Sequence, residues 1–273
     1  MNRRIVSNTI FYLILIISAA FFLLPIYLMI ITGVKSFDAV DLKTMWALPM
    51  SLHIDNFVAA YQQLAPNLGN SLVMVIPEAI LSALLGSLNG YLLAKWKFPH
   101  SDLLFTLILF GMFIPYQSIL IPLVKFMQFI RLYGGIPGLV LVHVIYGIPI
   151  TTLIFRNYYA SISTEILEAG RTDGASLLGL YRHIILPLSA PSFAVVIIWQ
   201  FTQAWNEFLF ALILTNQSNW PVTVALNNLA GSQLVRWNVL MAATLLAALP
   251  TLLVYLFLGR YFMRGLMAGA LKG

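Results

Sequence analysis

Apolar runs of about 20 residues recur six times along this chain, and a bilayer is the solvent such runs require. A helix rises about 1.5 Å per residue, so each run can cross a hydrocarbon core of roughly 30 Å. The predicted spans cover residues 10–31, 69–94, 102–124, 136–155, 192–214 and 239–258, the third of them broken near Pro115 and Pro122. This reads as an all-α, polytopic membrane protein with six transmembrane helices. Composition agrees, since 60% hydrophobic and 9% charged residues lie outside the range of soluble domains. The first run follows Arg3 and Arg4, exceeds the apolar core of a signal peptide and continues through Phe21, Phe22 and Leu23, so it reads as a retained anchor. Residues 32–68 are mixed, with room for a helix over 54–64, and no internal repeat is visible.

An even number of spans puts both termini on one side. With the termini lie Arg3, Arg4, Lys95, Lys97, Arg156, Arg171, Arg182, Arg260, Arg264 and Lys272, ten of the 15 Lys and Arg residues. Lys35, Lys43, Lys125, Arg131 and Arg236 lie opposite. Cations concentrate on the cytoplasmic side of membrane proteins, so both termini and the 156–191 loop are expected there. The net charge of +6 is scattered in ones and twos between apolar runs, which fits topology rather than nucleic acid.

No catalytic constellation emerges. Gly33-Val34-Lys35-Ser36 lacks the Gly-Lys pair and the upstream glycine of a phosphate-cradling loop. His53, His100, His143 and His183 fall in separate segments without metal-ligand spacing, and read as surface or interface residues. With no cysteine, disulfides and thiolate metal sites are excluded. If energy drives transport, a partner or an ion gradient supplies it.

On the side of the termini, the longest segment that hydrocarbon cannot hold contains 161–191. Ser163 or Thr164 can cap a first helix, with Glu165 and Glu168 near its positive end. Gly170 costs about 1 kcal/mol in a helix interior and, with Ala169, makes a surface nearly free of side chains. Asp173-Gly174 suits a helix stop, Ser176 can cap a second helix over 177–183, Leu186-Pro187 should end it, and Pro191 suits the first turn of the fifth span. From these residues alone, an ordinary inter-helix loop and a docking surface both remain open.

Polar groups inside the spans are the other candidates. Glu78 and Glu207 should each lie about 12 Å from the outer face at 1.5 Å per residue. Ionisable groups at that depth face the bundle interior, a cavity or a partner. Gln200, Gln203, Asn206 and Glu207 mix amide, carboxylate and neighbouring aromatic groups in a way that suits sugar hydroxyls and ring faces, and Gln203, Asn206 and Glu207 share a helix face. Pathway lining and plain helix contact are both open for them, while Asn89, Tyr146 and Trp199 read as packing. An ion-gradient transporter or channel with Glu78 and Glu207 as ion ligands is the rival from another class.

Glu168-Ala169-Gly170, Asp173-Gly174-Ala175, Ile184, Leu186-Pro187-Leu188 and Pro191 resemble the cytoplasmic EAA loop of binding-protein-dependent ABC importer permeases, whose pattern has alanine where this chain has Gly170. The resemblance implies the type I importer fold and makes Glu168, Ala169, Gly170, Asp173, Gly174, Ala175, Leu186 and Pro187 the ATPase-docking candidates. Asn70-Ser71, Trp205 through Leu209 and the tail from Arg260 to Gly273 are similar to the shorter, six-span partner of the maltose-type permease pair. In such systems that tail reaches the ATPase dimer interface. Leu88 through Tyr91, Trp199 through Gln203 and Val222 through Leu229 resemble permeases for glucose, mannose and small glucosides such as glucosylglycerol. The resemblance extends over essentially the whole chain. It implies a bacterial inner-membrane location, a second homologous permease subunit, two ATPase subunits holding ATP and Mg, an extracytoplasmic sugar-binding protein, and no cofactor on this chain. The implied organisation is an anchor helix and extracytoplasmic loop over 1–68, a permease core over 69–259 that includes the coupling loop 156–191, and a cytoplasmic tail over 260–273.

Overall fold

The computed structural model describes residues 2–96 and 98–270, with side chains described over 7–96 and 98–261. Arg3, Arg4, Lys97, Arg264 and Lys272 of the charge argument, and most of the 260–273 tail, therefore lie outside the described side chains. The described residues are helical, with one isolated bridge between Gly134 and Thr215 and no strand. Among the described residues, four helices are long and apolar enough to cross a bilayer: Ser7–Gly33 within α1 (Asn2–Gly33), α2 (Asp55–Lys95), α5 (Ile136–Ala160), and Trp237–Tyr261 within α11 (Trp237–Ala270). Two bent helix pairs raise the count to six if each is one span.

The first bend falls at Pro115, and the second at Ser189, between Pro187 and Pro191. The break expected near Pro115 in residues 102–124 is present: α3 (Ser101–Phe110) ends in a 3-10 turn, and Pro115, in extended backbone, leads through a second turn to α4 (Leu120–Phe129), with 87° between the two halves. A proline withholds a donor and pushes its predecessor out of the helical region, so the axis turns there. The break expected near Pro122 is absent, since α4 runs through that residue. The fifth span begins at α9 (Ala190–Asn206) and stops before the expected Leu214; a break at Glu207 and Phe208 separates α10 (Leu209–Leu214). Its bent partner is the segment Leu177–Leu188, at 77°. Pro187 and Pro191 sit in the first turns of α8 (Leu186–Leu188) and α9, so the expectation that Leu186-Pro187 ends a helix is corrected. The helix possible over 54–64 is the opening of α2, which runs on through Pro66 and Pro77. Membrane helices tolerate such prolines because neighbours satisfy the freed carbonyls.

Contacts divide the chain into two compact units, and two of the three boundaries fall at in-helix prolines, Pro66 and Pro250. One unit holds the N-terminal segment through Pro66 together with Ala225–Leu249. Here the 34–53 loop closes on itself: the His53 N–H donates to Val34 O at 2.9 Å, and buried Lys35 donates Nζ to Thr44 O at 2.7 Å. Asn56 Nδ2 donates to Gly33 O (3.0 Å) and Lys35 O (2.8 Å), and Asn238 Nδ2 to Asn56 Oδ1 at 2.9 Å. Those amides satisfy the carbonyls that the end of α1 leaves open.

The other unit, Asn67–Val224 with the segment from Pro250, carries the candidate sites. Its core gathers Tyr91 of α2, Phe155 and Tyr159 of α5, Leu167, Leu180, Ile185 and Val196. Close approach of α2 and α5 is set by Gly86 and Gly90. A Cβ at Gly90 would lie 2.7 Å from Arg156 N, and one at Gly86 would lie 2.2 Å from Thr151 Oγ1. Small residues four apart let helix backbones touch in a membrane, where dispersion replaces the hydrophobic drive.

Candidate functional site

Two features of this unit carry chemistry. The first is a helical hairpin built from the 161–191 segment. Its first helix, α6 (Thr164–Thr172), is capped by Ser163, whose hydroxyl accepts the Glu165 N–H at 3.2 Å. The helix closes in a Schellman turn. Gly174, at φ +81°, donates to Arg171 O (2.9 Å), and Ala175 N–H donates to Gly170 O (3.0 Å). Only a residue without Cβ holds that left-handed position cheaply. Ser176 then caps α7 (Leu177–Leu180), accepting the Gly179 N–H at 3.2 Å. Beyond α7 the helix predicted over 177–183 widens into a π turn, Tyr181–Ile185.

The hairpin has a distinct inside and outside. Leu167 and Gly170 are buried, while Glu168, Ala169, Asp173, Gly174 and Ala175 are exposed. A Cβ on Gly170 would come 2.6 Å from Leu180 Cδ2 and 2.9 Å from Ile184 Cδ1. The reading of Gly170 as part of an outward small-residue face is therefore corrected: it is the contact of α6 on the following helix. Leu186 and Pro187 stand apart from the exposed turn, half-buried and exposed respectively, at the start of α8.

Fastening of the hairpin to α2 and α5 was not legible in the sequence. Lys95 Nζ donates to Ile162 O, the Arg171 guanidinium lies 4.3 Å from the Trp96 ring centroid, and Tyr91 Oη donates to Leu177 O at 3.2 Å. Below these, Ser87 of α2 shares hydrogen bonds with Tyr159 Oη of α5 (2.6 Å) and Tyr181 Oη of the π turn (2.8 Å). Tyr159 also donates to Ser189 Oγ (3.0 Å), and Ser189 donates to Ile185 O. Four buried hydroxyls thus clasp the bend at Ser189 to two long helices. Tyr159→Phe removes the shared partner of Ser87 and Ser189, and should destabilise the fold by about 1–3 kcal/mol. Thermal unfolding of the purified protein checks it: a lower midpoint is expected, and an unchanged one would mean that the cluster holds nothing.

The second feature is a cavity of about 280 Å³ between α2, α5 and α9. Its floor is polar. Glu78, 1% exposed, accepts Gln200 Nε2 at 2.7 Å and Ser82 Oγ at 3.2 Å, both on Oε1. Gly147 makes this possible, since a Cβ there would meet Gln200 Nε2 at 2.0 Å. Glu207 caps α10, accepting the N–H groups of Phe210 (2.7 Å) and Ala211 (3.0 Å), and its Oε2 lies 3.8 Å from His143 Nε2. Tyr116, Tyr146, Trp199, Gln203 and Phe210 complete the wall.

The cavity gathers Glu78, Gln200, Gln203 and Glu207, and leaves out Asn206, which is exposed and donates to Thr202 O at 2.8 Å. The chain leaves the helix at Glu207, so the shared face expected of residues 203, 206 and 207 does not continue. Tyr146 and Trp199, read as packing, line the cavity, and so does His143, which is buried there rather than at a surface; Asn89 stays a helix contact, donating to Thr152 Oγ1 at 3.4 Å. Proximity of Tyr146 to position 200 depends on how α5 crosses α9, which local pattern does not encode. Among the described residues, no three His, Asp or Glu side chains are placed to hold a metal ion.

Residues 82–267 match the family described as the binding-protein-dependent transport system inner membrane component. The chain belongs to this family. Among relatives of this ABC importer permease, a probable ABC transporter permease protein of Pyrococcus horikoshii is 44% identical over 275 residues, covering 100% of both chains. A xylose/arabinose import permease of Haloferax volcanii is 37% identical, over 95% of this chain and 92% of that one. Among solved structures, a bacterial ABC transporter for import of the acidic polysaccharide alginate superposes with a TM-score of 0.84 over 96% of this permease and 98% of that chain. At 20% identity, that likeness establishes the type I importer permease fold.

Proposed function

We propose that the permease forms one transmembrane half of an importer for a small carbohydrate, and that the hairpin of α6 and α7 docks it on an ATPase subunit. The observation that carries the docking is the outward face of the hairpin. Glu168, Ala169, Asp173, Gly174 and Ala175 form an exposed, small and acidic surface on a turn fixed at both ends by caps. The carbohydrate reading draws on the xylose/arabinose relative and on a cavity that pairs amide and carboxylate groups with aromatic walls.

In this reading the hairpin and both termini face the cytoplasm, where two ATPase subunits bind ATP and Mg; this chain binds neither. A second homologous permease completes the pathway, and an extracytoplasmic binding protein delivers the sugar. Closure of the ATPases moves the docked hairpin as a rigid body. The clasp at Ser87, Tyr159, Tyr181 and Ser189 carries that motion to α2 and α5, and the bundle switches between inward- and outward-facing states. Glu78, Gln200, Gln203 and Glu207 line the route. Family membership supplies the ATP-driven mode, and no observation favours the ion-gradient rival.

Affinity purification of the tagged chain from its own membranes tests the proposal. ATPase subunits should co-elute with the wild type and be lost from Glu168→Lys, a charge reversal at an exposed position that leaves insertion intact. Recovery of an isolated chain that carries solute along an ion gradient without ATP would overturn it.

A further inference from the structure

We infer that the cavity between α2, α5 and α9 is itself a cargo site, built for one neutral sugar ring; the inference rests on the carbohydrate reading above. The first ground is hydrogen-bond supply. Gln200 and Ser82 both donate to Glu78 Oε1, and Oε2 of this buried carboxyl group has no hydrogen-bond partner. His143 Nε2 is likewise buried without a hydrogen bond, since Glu207 Oε2 at 3.8 Å is out of range. Two orphaned polar atoms in the lining of one cavity are costly unless something that enters satisfies them. A sugar hydroxyl both donates and accepts, and adjacent hydroxyls on one ring suit such a pair.

Shape and charge narrow the ligand. Phe210 packs with Tyr116 and with Tyr146, each pair with centroids 5.2 Å apart, giving an aromatic wall for the apolar face of a ring. About 280 Å³ lies near the small end of ligand pockets, which begin at roughly 300 Å³, so the enclosed part suits one ring better than a chain of them. The lining includes Glu78 and Glu207 and no Lys or Arg, which disfavours an acidic sugar. Depth is graded as well: Glu78 is 1% exposed at the floor, while Trp199, 46% exposed, and Gln203 stand at the open rim. Cargo therefore meets an aromatic and an amide before it reaches the carboxyl group.

The test uses the assembled transporter with its binding protein in proteoliposomes, and tritiated glucose, xylose, maltose and glucuronate as probes. Wild type should accumulate a single-ring neutral sugar, and neither maltose nor glucuronate at a comparable rate. Glu78→Gln and Gln203→Leu should each slow that uptake about 10-fold at saturating loaded binding protein, the effect of losing one hydrogen bond to a charged or amide partner. If Glu78→Gln does not fold, Gln203→Leu still decides, because position 203 is exposed at the rim. A photoreactive residue at Tyr146 should capture the transported label. Wild-type rates from both variants at normal membrane levels, or maltose carried as fast as glucose and xylose, would overturn the site and leave the importer intact. Failure of the wild type to accumulate any of the four sugars would overturn the carbohydrate reading, and the site with it.

Discussion

Gly90→Leu should leave little folded protein. A Cβ at position 90 would stand 2.7 Å from Arg156 N and 2.9 Å from Phe155 C, both backbone atoms that cannot rotate aside. The nearby Phe155 side chain, at 2.7 Å, is itself in the core. Accommodation requires α5 to withdraw from α2, and that separation would pull Tyr159 from Ser87 as well. Overpacking at a close contact costs about 3 kcal/mol or more. A glycine in open surroundings provides the contrast: nothing lies within 4 Å of a Cβ at Gly69, so Gly69→Ala should be neutral or stabilising by up to about 1 kcal/mol. Yield and thermal midpoint of the purified protein compare the two. Wild-type stability for Gly90→Leu would mean that the helices do not cross as described.

Gly174→Pro should abolish uptake while the helix bundle still inserts and folds. Position 174 holds φ +81°, which the proline ring forbids, and its N–H donates to Arg171 O at 2.9 Å. Losing the turn releases the C-terminal end of α6 and the Ala175 bond to Gly170 O. The exposed acids at 168 and 173 then no longer hold a fixed geometry. Damage stays local, because the core residues Leu167 and Leu180 remain available to pack. The measurement is sugar uptake set against membrane levels of the protein. Normal uptake at normal levels would mean that the turn has no part in coupling.

Much of the hairpin was legible because it is written in short-range chemistry. Ser163, Ser176 and Gly174 act within three or four residues of themselves, and each cap forms as the sequence implies. Apolar runs likewise announced helices, since a span needs only length and composition. Features that depend on crossing geometry were hidden. No local pattern marks Gly86 and Gly90 as contact points; Thr151 and Phe155 are brought against them only by the approach of α5. The clasp joins Ser87 to Tyr159 and Tyr181, 72 and 94 positions away, and no local pattern connects them. Gly170 looked like an outward departure from a family pattern; only the return of α7 shows that it faces Leu180. In the cavity, the acids and glutamines stood out as polar groups in apolar surroundings, but Tyr146, Trp199 and His143 could not be told from packing residues without the crossing of α5 and α9.

Docking requires the exposed face of α6 and α7 to meet an ATPase subunit. The chain has no cysteine, so Ala169→Cys creates a unique thiol on that face. Crosslinking in native membranes from this position, beside Leu42→Cys in the 34–53 loop as a control, asks the question directly. Position 169 should give an adduct with the ATPase subunit, and position 42 should give none. An adduct from position 42 alone, with position 169 bare, would contradict docking.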